Sequence, residues 1–299
     1  MLIPELPQAA DAPPPLMPAL SATVDAMQRE LQTLREEINV LRRRDDTLNF
    51  YMQRLDEEMR LAARLQQDFL PKSLPQIGPL HFHSLFRPAG YVSGDIYDVM
   101  RLDEEHLGFF VADAVGHGMP AALLTMFIKR ALVTKEITAG GYRLLPPAEA
   151  MTRLNDALVE QNLSQATFAT ALYGIINTTT LTVTFARGGH PNPVLLSREG
   201  DVSEPASEGP LLGIFPDEQF TQTSVQLSTG DRLFLYTDGI EVAFADAETM
   251  DTQRWREELY ARRKLPVEQL LTDFSRHLDE EVGSLAPKDD LTIIVLEVR

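Results

Sequence analysis

The sequence predicts an α+β protein in which paired antiparallel strands are covered on both faces by helices, with one long helix leading into them. Three observations carry this. Apolar residues recur in alternating steps of three and four from Val24 to Phe69. After residue 80, strand-like stretches come mostly in pairs. Helical patterns are grouped between those pairs instead of alternating singly with them, which disfavours a βαβα Rossmann series. With 299 residues and 44% hydrophobic content, the chain can bury a sizeable core.

Residues 1–20 carry Pro4, Pro7, Pro13, Pro14, Pro15 and Pro18 and little apolar periodicity, so a disordered or extended tail is expected there. Over 21–70 neither proline nor glycine occurs, and Val24, Met27, Leu31, Leu34, Ile38, Leu41, Leu48, Met52, Leu55, Met59, Ala62 and Phe69 keep one heptad frame. Asp45 and Gln66 interrupt it. With Val24 at an a position, Glu30 and Glu37 are g residues and Arg35 and Arg42 are e residues. A parallel dimer then pairs Glu30 with Arg35 and Glu37 with Arg42 across the two chains, a match that an antiparallel arrangement loses. The expectation is a parallel coiled-coil homodimer; a single amphipathic helix folded on its own domain is the alternative. Pro71 and Pro75 mark the turn into a third region, 71–299.

Strands are expected at His81–Phe86, Asp95–Leu102, His106–Ala112, Ala169–Ile176, Thr180–Phe185, Arg232–Tyr236 and Leu291–Val298. Helices are expected at Met119–Lys135, Ala148–Gln161 and Val267–Glu281.

Composition excludes some chemistry. The chain has no cysteine, so disulfides, zinc–thiolate sites and cysteine nucleophiles are ruled out. A net charge of -17 argues against nucleic acid or an anionic membrane surface as the main partner. The first residues lack the pattern of a signal peptide, and no apolar run reaches the roughly 20 residues that cross a bilayer, so a soluble cytoplasmic protein is the default expectation.

Several aspartates sit at the ends of apolar strands. Phe109-Phe110-Val111-Ala112 runs into Asp113 and a turn containing Gly116 and Gly118, where the Ala114 carbonyl could add an oxygen ligand. Phe234-Leu235-Tyr236-Thr237 runs into Asp238-Gly239; Asp289-Asp290 precedes the last strand; and Ser93-Gly94 precedes Asp95. Any one of these reads as an ordinary turn. Together they are another matter, because burying carboxylates without a cation is costly. Oxygen ligands without His–Cys spacing suit Mg²⁺ or Mn²⁺.

From about residue 62 to 299 the chain resembles the SpoIIE/RsbU-type branch of the PPM serine/threonine phosphatases. The resemblance rests on Phe86-Arg87-Pro88-Ala89, Ser93-Gly94-Asp95-Ile96-Tyr97-Asp98, Ala112–Ala122, Thr167-Phe168-Ala169-Thr170, Gly188-Gly189-His190-Pro191, Leu235–Gly239 and Asp289-Asp290-Leu291-Thr292, in the family's order. It implies an αββα sandwich of two mainly antiparallel sheets and two Mn²⁺ or Mg²⁺ ions. Asp113 would bridge the ions with help from the Ala114 carbonyl, Asp238 and Asp289 would complete the first site, and Asp95 would support the second. Asp290 is adjacent to a ligand position and less clearly placed. Asp98 reads as structural, and His190 as shaping a loop. His117 stands where many relatives have lysine, which disfavours a required acid role. Arg87 either contacts substrate or braces its strand.

The implied activity is hydrolysis of phosphoserine or phosphothreonine on a regulatory protein, often a STAS-domain anti-anti-sigma factor. The dimeric helix would relay a signal, received through an upstream regulator bound to it. An inactive PPM-fold scaffold is the competing expectation.

Overall fold

The computed structural model describes residues 16–163, 167–244, 254–281 and 289–299. The expected tail lies outside the described residues as far as position 15. Two compact units divide the chain, Met1–Glu58 and Met59–Arg299. Helix α1 (Leu16–Phe69) begins five residues before the expected start at 21 and takes in Pro18. A proline in a first helical turn forgoes only a donor that has no intrahelical acceptor.

In the first unit the heptad side chains stand in solvent, from 46% exposed at Ile38 to 65% at Met52. In the second unit the helix changes character. Gln66 is buried and Met59, Ala62 and Ala63 are half-buried, one face at steps of three and four. Leu70, just beyond the helix, packs against two of the hydrophobic clusters.

After α1 come β1 (Gln76–Ile77), β2 (Leu80–Arg87), β3 (Asp95–Arg101), β4 (His106–Ala114), α2 (Met119–Ala131), β5 (Lys135–Thr138), β6 (Gly141–Leu144) and α3 (Pro147–Glu160). Then follow β7 (Ala169–Asn177), β8 (Thr182–Gly188), β9 (Val194–Leu196), β10 (Val202–Ser203), β11 (Gln222–Gln226), β12 (Arg232–Tyr236), α4 (Gly239–Phe244), α5 (Arg254–Ala261), α6 (Val267–Glu281) and β13 (Leu291–Val298). One sheet has the order β1-β2-β13-β12-β9-β10 and the other β11-β8-β7-β4-β3, while β5 and β6 form a separate hairpin. The strand pairings are antiparallel.

Three clusters of buried side chains define four layers. Leu124, Ile128, Met151 and Leu154 of α2 and α3 cover Phe110 and Tyr173 on the outer face of the five-stranded sheet. Phe82, Phe109, Leu172, Phe185, Leu235 and Ile294 fill the space between the sheets. Trp255, Leu270 and Phe274 of α5 and α6 cover Phe234 and Ile293 on the outer face of the six-stranded sheet. The expected αββα sandwich is therefore the observed architecture.

The seven expected strands are all present, within two or three residues at their ends. Helix α2 stops at Ala131 instead of Lys135, because Leu132 is already extended and Lys135 opens the β5–β6 hairpin. The short elements β1, β5, β6, β9, β10, β11, α4 and α5 were not expected; two to eight residues are too few to show a period.

Close packing between the sheets depends on one glycine. Gly174 faces Phe109 across the β4–β7 ladder, and a Cβ there would lie 2.3 Å from the ring's Cζ. Gly174→Ala is expected to cost about 1–3 kcal/mol, as overpacking a filled core does. Urea unfolding tests it: an unchanged midpoint would show that the Phe109 ring can move aside.

Candidate metal centre

Asp95 opens β3, Asp113 lies one residue from the end of β4, Asp238 lies two residues beyond β12, and Asp289 and Asp290 precede β13. The topology thus gathers at one end of the sandwich what the sequence scatters over nearly two hundred positions. Asp95 and Asp113 are direct cross-strand partners in the antiparallel β3–β4 ladder, so their side chains share a face. The turn after Asp113 holds Gly116 and Gly118 at φ of 89° and 73°, a region costly for residues with a Cβ. It delivers the chain to α2, with Pro120 in the first turn. Gly94 lets the loop before Asp95 close down: a Cβ on it would lie 3.1 Å from the Ala114 carbonyl oxygen and 3.2 Å from that of Gly116.

Asp95 is 1% exposed, and its two oxygens differ. Oδ2 accepts from the hydroxyls of Thr237 (2.8 Å) and Thr292 (2.7 Å). Thr237 Oγ1 in turn accepts from the backbone N–H of Thr292 at 2.9 Å. Oδ1 is buried with no hydrogen-bond partner. A buried carboxylate oxygen without a donor is costly, and a cation is the partner it lacks.

The charges point the same way. Burial, then the neighbouring Asp113, holds the Asp95 carboxyl well above the usual carboxylate range, against the pull of the two threonines. Burial and the repulsion of Asp238, Asp289 and Asp290 push Asp113 up to about 8. Asp238 is raised by desolvation first and by Asp289 second, although its side chain still meets solvent. These groups repel one another and would be relieved by positive charge among them. Among the described residues, no three His, Asp or Glu side chains stand close enough together to hold a metal ion as they are placed. That openness is compatible with Mg²⁺, which is commonly held by one or two carboxylates with water completing its shell. An all-oxygen donor set with an orphaned buried carboxylate oxygen fits a hard divalent cation.

Asp290 is 5% exposed and engaged with backbone: its oxygens accept from Ala89 N (2.7 Å) and Gly94 N (2.6 Å). Gln66 of α1 grips the same loop, accepting from Ser93 N (2.8 Å) and donating to Ser93 O (2.6 Å). A cavity of about 610 Å³ opens beside the carboxylates, lined by Met59, Tyr91, Val92, His117, Met119 and Asp289 among others.

The remaining candidates separate cleanly. Arg87 braces its strand, bonding Ser275 (2.8 Å) and Asp279 (2.6 Å) of α6. Asp98 pairs with Lys129 of α2 at 2.7 Å, and Lys129 also donates to the Phe69 carbonyl at the end of α1. His190 is 1% exposed and bonds Thr170 through Nδ1 at 2.8 Å. Burial lowers its imidazole to about 3, which disfavours the protonated form. His117 is exposed at the cavity. Sequence reasoning missed Thr237 and Thr292, which sit inside the two aspartate motifs, and the role of Gln66, which had shown itself as a break in the heptad frame.

The profile of the Stage II sporulation protein E (SpoIIE) family matches residues 103–299. The chain belongs to the SpoIIE family. Among its relatives, phosphoserine phosphatase RsbU of Bacillus subtilis is 31% identical over 195 residues, 65% of this chain and 56% of that protein. Phosphoserine phosphatase RsbP of the same organism is 29% identical over 186 residues, 61% of this chain and 45% of that protein. The chain spans about half the length of these curated relatives. The solved SiaA-PP2C domain of Pseudomonas aeruginosa superposes with a TM-score of 0.70 at 23% identity, over 83% of this chain and 98% of that one. The SpoIIE-family chain thus has the PP2C fold.

His190 makes a pH signature. Its folded value, about 3, lies below its ordinary 6.5, so its neutral form stabilises the fold above pH 6.5. That contribution is lost as pH falls from 6.5 towards 3, at up to ~1.4 kcal/mol per pH unit. His190→Gln is expected to flatten this part of the stability profile, measured by urea midpoints from about pH 4 to 7; identical slopes would remove His190 from the account.

Proposed function

We propose that the chain is a metal-dependent protein serine/threonine phosphatase. The observation that carries the reading is the gathering of Asp95, Asp113, Asp238 and Asp289 at one end of both sheets, with one buried oxygen lacking any donor. Membership of a family whose relatives include two proteins named phosphoserine phosphatase supports it.

In this reading Asp95, Asp113, Asp238 and Asp289, with the Ala114 carbonyl, would hold two Mn²⁺ or Mg²⁺ ions. When bound, such ions supply an activated water and neutralise phosphoryl charge. The protein's own part is positional. Thr237 and Thr292 fix the carboxylate of Asp95; Asp289 lies at the cavity wall, where a phosphorylated segment of the substrate would enter. Water adds to phosphorus, the serine oxygen departs with a proton, and no phosphoenzyme is needed, in keeping with a chain without cysteine. The substrate proposed is a phosphorylated STAS-domain regulatory protein in the cytoplasm. A catalytically inactive scaffold is the reading to be beaten.

Regulation is proposed through a parallel homodimer of the helix over 21–70, followed by the catalytic domain over 71–299. The exposed seam from Val24 to Leu55 supports a second copy as its partner. Among the described residues, Glu30, Arg35, Glu37 and Arg42 make no ion pair, which leaves them for the g–e′ pairs of that dimer. An upstream regulator is proposed to act on the helix, and Gln66 supplies a route from it to the loop before Asp95.

Mn²⁺-dependent phosphate release from a phosphoserine protein tests the activity. Asp113→Asn is expected to lower it by about 100-fold or more, given what charged ligands contribute at such centres; no release from any phosphoprotein would favour the scaffold. Grafting the catalytic domain onto coiled coils of shifted register is expected to change the rate, and equal rates in every register would sink control through the helix.

A further inference from the structure

We infer that Asp290 is a positioning residue rather than a ligand: it clamps the loop before Asp95 and so sets how tightly the second cation is held. The inference rests on the metal-centre reading above and deepens it.

The loop joins the end of β2 at Arg87 to the start of β3 at Asp95. Asp290 holds both of its shoulders, one carboxylate oxygen on Ala89 N and the other on Gly94 N. Gly94 immediately precedes Asp95. Between the shoulders, Gln66 holds the N–H and the carbonyl of Ser93, and Ser93 Oγ accepts from Asp95 N at 3.0 Å. The segment is thus gripped by β13's leading residue on one side and by α1 on the other. Bonds from backbone N–H to an ionised carboxylate are roughly twice as strong as neutral ones, so this is a stiff clamp.

Ligand duty suits Asp290 poorly. Turning an oxygen towards a cation would strand a backbone N–H in a region where Asp290 itself is 5% exposed, and orphaned donors are costly. Its neighbour Asp289 is exposed at the cavity and has one oxygen, Oδ1, on a backbone N–H, that of Asp290 at 2.8 Å, where Asp290 has both of its own so engaged. The Asp290 backbone is equally constrained: a Cβ on Gly239 would lie 1.9 Å from the Asp290 carbonyl oxygen, so the start of α4 closes directly on it. Asp290 cannot shift without disturbing Asp238's own turn.

The test is made on the full chain after chelation, comparing wild type, Asp290→Ala and the near-isosteric Asp290→Asn, which keeps one acceptor and guards against misfolding of the alanine variant. Calorimetric titration with Mn²⁺ reads binding directly. Loss of residues that orient metal ligands commonly costs 10- to 100-fold in affinity. Asp290→Ala is expected to weaken one of two ions about ten-fold or more and leave the other near its wild-type affinity, with Asp290→Asn between them. Saturating Mn²⁺ should then restore most of the phosphatase rate. Amide exchange of Ala89 and Gly94 in the metal-free chain should quicken in the same variants.

Loss of one ion's binding that no Mn²⁺ concentration restores would make Asp290 a ligand and overturn the inference. Unchanged affinities with unchanged exchange would overturn it as well. Failure of the underlying reading looks different: wild type itself would bind no Mn²⁺, and the clamp would then have no metal to serve.

Discussion

The structure turns on one buried carboxylate that joins two sheets. Asp95 belongs to β3 of the five-stranded sheet, whereas Thr237 and Thr292, which hold its Oδ2, lie just after β12 and within β13 of the six-stranded sheet. The apolar side chains between the sheets bring them together, but they do so without direction. The polar junction at the end supplies the direction. Two hydroxyls pin one oxygen, Thr237 also takes the Thr292 N–H, and the second oxygen is left facing the other aspartates. Slip β3 or β13 by one residue in its ladder and Asp95 or Thr292 points to the opposite face. The register of the whole sandwich is therefore legible at this one group.

The same junction reaches α1. One heptad frame runs through this helix, yet it meets two kinds of surroundings. From Val24 to Leu55 the frame is apolar and exposed; from Met59 it is half-buried within the second unit and ends on a buried glutamine. At an a position in a coiled coil, glutamine would weaken the seam. Against the domain it is well suited, because its amide offers a donor and an acceptor to the two groups of the Ser93 backbone. The frame is broken where the helix exchanges a proposed partner helix for the PP2C fold.

This explains what could be read from the sequence and what could not. Long strands such as His106–Ala114 and Leu291–Val298 announced themselves through continuous apolar runs, and the aspartates through their places at the ends of such runs. Elements like β9 or α4 did not, since three or six residues have no period and exist only because a neighbouring ladder or helix completes them. The supporting groups were hidden for another reason. Thr237, Thr292, Asp290 and Gln66 act through partners 142, 197, 201, 196 and 27 positions away, and no local pattern carries such distances. Asp290 had looked like a spare acidic residue beside a ligand; its burial and its two backbone donors are properties of the fold.

The acidic composition by itself explains none of this, since a net charge of -17 could be spread over solvated surface. What matters is that Asp113 is pushed up to about 8 by burial and by Asp238, Asp289 and Asp290, neighbours brought to it from two other segments. The fold thus maintains a local repulsion that its own residues do not relieve. Under the proposed metal centre, a cation relieves it and the order of the 89–94 loop contributes to how well that cation is held. Linkage is reciprocal: whatever factor the grip of Gln66 and Asp290 adds to cation affinity, the cation adds to the grip. A helix that senses its partner through Gln66 and a site that senses its metal through Asp95 would then be reading the same loop, and neither could change state without the other feeling it.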